Sequence, residues 1–264
     1  MKKKNKNILG VTLVEILITI VITSIMMGGM YATYSAVNKT YGQVIDKATF
    51  SRTSREVIEM ISKDIRLAGF KYYGDGIIVD DTHLPISITK NVGCCDSISI
   101  IYGNKRVDEN QNPPLITYQK YRIIYTTVPS NIIDRATGNA INSNRITKRK
   151  EVWNTGAQAF EVSMNDNETY PASTVADYVD MFEIIPMTST GTVITPAPTT
   201  LIEMNNIKSV ELLVALRSGK PVFVNDREQT VISLHEDNNR IFTDRFLRNS
   251  ATATVSLRNL AIAR

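Results

Sequence analysis

Between Val11 and Tyr31 the chain carries one charged side chain, Glu15, in a run otherwise built of Val, Leu, Ile, Met, Gly, Thr and Ser before its closing Tyr. About 20 such residues cross the hydrocarbon core of a bilayer as a helix, so the run reads as a transmembrane segment over 11–31. Ahead of it stand Lys2, Lys3, Lys4 and Lys6 with no acid among them. The positive-inside bias places that end in the cytoplasm and sends the rest of the chain outside.

Glu15 decides what kind of segment this is. A carboxylate in hydrocarbon costs about 2.5 to 3.5 kcal/mol on insertion scales, so a plain single-pass anchor gains by losing it. An ordinary secretory signal has a shorter core that avoids charge. Glu15 therefore needs a cationic partner. Cleavage between Gly10 and Val11 would create one, because the new α-amine of Val11 lies one helical turn from Glu15. In an assembly of parallel helices, that amine on one subunit neutralises Glu15 on the next and fixes their axial offset.

The stretch Gly10-Val11-Thr12-Leu13-Val14-Glu15, behind a short lysine-rich leader, resembles the cleavage motif of type IV prepilins and type II secretion pseudopilins. The resemblance implies removal of leader 1–10 by a prepilin peptidase, N-methylation of Val11, and docking through Glu15 among the N-terminal helices of other major and minor pilins. The family's first mature residue is most often Phe, and here it is Val11.

Beyond the membrane run the helical period continues. Val44, Ile45, Ala48, Ser51, Ile58, Ile61, Ile65 and Ala68 fall mostly three and four residues apart, broken at Arg55, and no proline occurs before Pro85. This predicts one N-terminal helix over 11–69, apolar all round at first and then amphipathic, stopped by Gly69. Gly28 and Gly29 within it read either as places to bend or as small residues at a helix contact.

After Gly69 the pattern changes to short β-branched and aromatic segments: 96–103, 115–128, 159–164, 178–187, 209–219, 230–234 and 252–260. The stretches 104–114, 130–145 and 188–200 read as loops from their Asn, Gly, Pro, Ser and Thr content. With no internal repeat, 70–264 reads as one β-rich globular head. The fold class is α+β and pilin-like: a long N-terminal helical stalk packed on that head.

Three stretches narrow the resemblance: "SKDIRLAGF" (62–70), "CCDSISIIY" (94–102) and "ATATVSLRNL" (251–260) are similar to PilW-type minor pilins, relatives of the J-type minor pseudopilins. That resemblance implies a low-abundance subunit that primes type IV pilus assembly in the bacterial inner membrane. Its head would stand in the periplasm and later at or near the filament tip on the cell surface. The implied partners are the peptidase, other pilins, the inner-membrane assembly platform and a tip adhesin. A J-type pseudopilin of a type II secretion system is the alternative, followed by a membrane-anchored extracytoplasmic binding protein.

Charge supports an exported structural subunit. The chain has 30 Lys plus Arg against 26 Asp plus Glu, and without the four leader lysines the balance is 26 against 26. No net basic field then remains to attract nucleic acid. The densest basic stretch, "ITKRKEVW" (146–153), has no interleaved aromatic platform and reads as a solvated strand or loop. The two cysteines, Cys94 and Cys95, are adjacent, leaving three readings open: a vicinal bridge fixing a tight turn, free or buried thiols, or bonds to another chain.

Nothing in the sequence points to catalysis, a cofactor or a metal. No Walker A loop, Gly-x-Ser-x-Gly, His-Glu-x-x-His or Gly-x-Gly-x-x-Gly occurs, and the only histidines are His83 and His235. Both read as surface or turn residues. "SMNDNETY" (163–170) and "HEDNNR" (235–240) hold oxygen donors but lack EF-hand spacing, so they read as solvated turns. The expectation is a subunit that is not an enzyme.

Overall fold

The computed structural model describes residues 12–70, 83–91, 94–108, 113–133, 142–163, 167–195, 197–234 and 239–258. The fold is α+β. One helix of 55 residues, α1 (Leu13–Leu67), precedes an antiparallel β-rich head. The chain divides into two compact units at Asp46 and Lys47, so the last turns of α1 belong to the same unit as the sheet.

In the first unit α1 exposes apolar side chains all round, including Leu17, Ile20, Met26 and Tyr34. A helix with no polar face is solvated by lipid or by other apolar helices. It is the one helix among the described residues long and apolar enough to cross a membrane, with a mean hydropathy of 2.1 over its best window.

The second unit is a meander. Strands β1 (Ile86–Thr89), β2 (Ser97–Asp108), β3 (Leu115–Pro129) and β4 (Asn144–Asn154) lie side by side, with short β5 (Ala159–Glu161) on the end of β4. Next come β6 (Tyr170–Met187), β7 (Ser209–Arg217) and β10 (Arg248–Ser256), giving the order β1-β2-β3-β4-β6-β7-β10. A one-turn helix, α2 (Leu201–Met204), joins β6 to β7, and a separate hairpin of β8 (Arg227–Val231) and β9 (Arg240–Asp244) lies between β7 and β10 in the chain.

Period-2 alternation sorts the sheet into two faces. On β7, Val210, Leu212, Val214 and Leu216 join the main core with Val57, Ile58, Ile61 and Ile65 of α1 and with Ile98, Ile100, Ile123, Tyr125, Phe182 and Ile184. The intervening Leu213 and Ala215 meet Met181, Val231, Leu234 and Phe242 in a second cluster beneath the β8–β9 hairpin. Because β7 is covered on both faces, its sequence is a near-continuous apolar run.

Gly69 ends the helix as expected: its φ is +72°, a region that costs glycine little. Its N–H donates to the carbonyl of Ile101 (2.9 Å), while Gly103 N–H donates to Phe70 O (2.7 Å), so the helix end is sewn to β2. The buried stripe is shorter than its pattern. Burial on α1 begins at Ser54, whereas Val44 and Ile45 stay exposed.

Other differences are in the strands. The β2 strand runs to Asp108, into residues expected to be loop, and β6 begins at Tyr170, ahead of the expected 178. Strands β1 and β9 and helix α2 are additional. The basic stretch 146–153 is the body of β4, an interior strand paired with both β3 and β6. Its lysines are not solvated. Lys148 Nζ lies 2.7 Å from Asp64 Oδ2 on α1, and Lys150 Nζ lies 3.0 Å from Glu168 Oε2. Tyr125 of β3, itself fully buried, donates its OH to the same Asp64 oxygen at 2.5 Å.

Burial works against the Lys148 ammonium, but the hydrogen bonds and charges of Asp64 and Tyr170 outweigh it and hold its pKa above the ordinary lysine value. A cation with a raised folded-state pKa contributes stability that is fully present below the unfolded value, roughly 10.4, and lost as pH climbs through the folded one. Urea unfolding of the full chain in detergent micelles is therefore expected to show stability falling above about pH 10.4. Asp64→Ala should lower it at neutral pH by about 3 to 5 kcal/mol, because the Lys148 charge is left buried without its counter-ion.

Candidate functional site

The first turn of α1 is built by two side chains acting reciprocally. Glu15 N–H donates to Thr12 Oγ1 (3.3 Å), while Glu15 Oε2 accepts from both Thr12 N–H (2.9 Å) and the Thr12 hydroxyl (3.0 Å). This is a capping box, which satisfies backbone donors that a helix start otherwise leaves orphaned. The carboxylate also sits at the positive end of the helix dipole. The Thr-x-x-Glu spacing that signals such a box is present in "TLVE" (12–15).

Further along, hydroxyls are satisfied within the helix. Thr19 donates to Glu15 O (2.7 Å), Thr23 to Thr19 O (2.7 Å) and Ser24 to Ile20 O (2.8 Å). Bonding to the carbonyl four residues back removes the penalty of a bare hydroxyl in hydrocarbon. With these hydroxyls satisfied, Glu15 is the polar group of the run that still gains from a partner outside the helix.

Residues 5–31 match the family model of the prokaryotic N-terminal methylation motif. The match covers the N-terminal segment alone and supports a type IV prepilin-like or pseudopilin protein. No curated protein and no solved structure matches the chain. Within the methylation motif, Lys6, Gly10, Val11 and Glu15 fall inside the matched residues, and of these only Glu15 lies among the described residues. Lys2, Lys3, Lys4, Lys6, Gly10 and Val11 lie outside them.

Gly28 and Gly29 stand in unbroken α-helix, with open space beyond the helix's own backbone where a side chain at either would sit. Met26, Gly29, Met30, Thr33 and Tyr34 line a shallow depression on the helix surface. Such a notch, made by a missing side chain, lets a neighbouring helix backbone approach closely.

In the head, a disulfide joins Cys94 and Cys95, whose Cα atoms are 3.6 Å apart. Cys95 has φ +76°, a left-handed conformation that persists for a non-glycine residue only where its surroundings impose it. They do so here. Asn91 Nδ2 donates to Cys95 O (3.0 Å), Asp96 N–H donates to Phe182 O (2.8 Å), and the buried Asp96 carboxylate accepts from Ile184 N–H (2.9 Å) and Lys90 Nζ (2.6 Å). The turn is thereby tied to β6 in the interior of the sheet.

His83 lies half-buried at a bend before β1, where its ring meets Trp153 edge-on at 4.5 Å and Phe160 at 5.4 Å between centroids. His235 lies outside the described residues, as do 164–166 and 235–238 of the two oxygen-rich stretches. Among the described residues no group of three or more His, Cys, Asp or Glu could hold a metal ion.

The capping geometry makes a local prediction. Thr12→Val should weaken the first turn by about 1 kcal/mol, the usual cost of losing an N-cap hydroxyl. Hydrogen exchange of the full chain in micelles should then show a faster Glu15 amide, with the amides of the β7 interior unchanged.

Proposed function

We propose that this protein is a minor pilin: a non-enzymatic subunit that helps prime type IV pilus assembly in the inner membrane and then sits at or near the filament tip. The observation that carries this reading is one acid at the head of an otherwise apolar helix, within a methylation motif. In the proposed sequence of events a prepilin peptidase cuts after Gly10 and methylates the new amine of Val11. The head stands in the periplasm during these steps and reaches the cell surface with the filament.

Docking follows from electrostatics. Inside lipid the Glu15 charge is stabilised in part by its own helix start, through the Thr12 amide and hydroxyl. An amine from the adjacent subunit completes the neutralisation, and the gain is large because a charge left unpaired in hydrocarbon is costly. This makes the axial offset between subunits specific. Partners on this reading are other major and minor pilins, the assembly platform and a tip adhesin. The proposal that the head performs no catalysis is supported by the absence from the sequence of the nucleotide, nucleophile and zinc motifs noted above.

Two measurements test the reading. Mass spectrometry of the N-terminal peptide from the envelope fraction is expected to find a peptide beginning at N-methylated Val11. An intact leader, or a start beyond residue 30, would overturn it. Glu15→Leu should be cleaved normally yet fail to enter filaments, and a well-piliated Glu15→Leu strain would count against the docking role. Loss of secretion with no pilus phenotype in that strain would move the assignment to a J-type pseudopilin.

A further inference from the structure

The two edges of the large sheet are built differently. One edge, β1, has four residues and follows Pro85, and shortness and proline are both devices that keep foreign strands from pairing. The other edge, β10, has nine residues in unbroken antiparallel register with β7, without proline or bulge. From Asn249 to Ser256 it contains no charge. Among the described residues no strand pairs with its outer side. Among the described residues only its beginning is covered, where Gln229 Oε1 accepts from Arg248 N–H (3.2 Å) and Asp180 and Asp244 hold the Arg248 guanidinium.

A groove of about 300 Å³ runs between this edge and the last turns of α1. Its floor is apolar, formed by Ile58, Ala251 and Ala253, the two alanines packing against the main core. Its helix side is cationic, with Arg55, Lys63 and Arg66 against the single acid Glu59, which pairs with Lys63 at 2.9 Å. A strand laid along β10 would gain a ladder of backbone hydrogen bonds and turn every second side chain into this groove.

We infer that the outer edge of β10 is a docking site for an extended segment of a different protein, one that turns small apolar residues inward and sets a carboxylate against Arg55 and Lys63. Charge selects against a second copy. From Arg248 to Arg258 this chain has two arginines and no acid, so β10 paired with another β10 offers the cationic rim no counter-charge. The last residues, Leu257 to Arg264, are likewise basic and do not complement it. This site is separate from Glu15, so its test leaves the N-terminal reading untouched.

The test uses the full chain in detergent micelles and fluorescence anisotropy of two labelled peptides. One is Glu-Thr-Val-Thr-Val-Thr-Glu, capped at both ends, which sets both Glu and both Val on the same face, and its counterpart has Lys in place of each Glu. The acidic peptide is expected to bind about tenfold more tightly than the basic one. The double variant Arg55→Glu, Lys63→Glu changes only exposed helix positions and should reverse the preference, while Ala253→Lys should abolish binding of both. Binding by neither peptide, equal binding of the two, or binding that survives Ala253→Lys would overturn the inference. So would disulfide-linked dimers of Thr254→Cys protein, which would make the occupant a second copy.

Discussion

Asp64 is the charge on which the head is assembled. It sits on the buried face of α1, where a carboxylate without partners would cost several kcal/mol, and it meets Lys148 of β4 and Tyr125 of β3 at a single oxygen. Apolar packing alone would let a helix slide by a turn across a sheet of similar side chains. A buried ion pair with a hydrogen-bonded tyrosine does not tolerate such a slip, because each wrong register leaves a charge bare. The cluster of Val57, Ile61 and Ile65 supplies the area, and Asp64 supplies the address.

The same logic, moved into lipid, governs the other end of the helix. Glu15 is stabilised first by its neighbour Thr12 and, on the reading proposed here, by an amine from another subunit. Local capping keeps the carboxylate ordered and at the helix start before any partner arrives. Pre-ordering of this kind lowers the entropy lost on docking.

Much of this was legible in the sequence, for reasons that differ between elements. Helix α1 announced itself through its apolar run, its three-and-four spacing and the absence of proline, and Gly69 marked its end. The centres of β2, β3, β6 and β7 were plain because β-branched and aromatic residues concentrate there. The interior strand β4 was misread because Lys148 and Lys150 stand where apolar residues would be expected. Their partners Asp64 and Glu168 lie far off in sequence, and no local pattern reveals a salt bridge formed by tertiary contact. The early half of β6, rich in Pro, Ala, Ser and Thr, gave no signal until β4 beside it was known. At the candidate site the acid was found from its cost in the membrane, whereas its cap was overlooked despite a readable Thr-x-x-Glu.

The way α1 is fastened to the sheet also sets how the head would bear load. Asp64 grips β3 and β4, and Gly69 N–H grips β2, so any pull transmitted along the helix enters through three neighbouring strands at once. Strands loaded together must break their hydrogen bonds in parallel, whereas a single edge strand would peel away one bond at a time. The joint is therefore suited to resist tension, and none of these hydrogen bonds or ion pairs is made to β10, the edge that can peel.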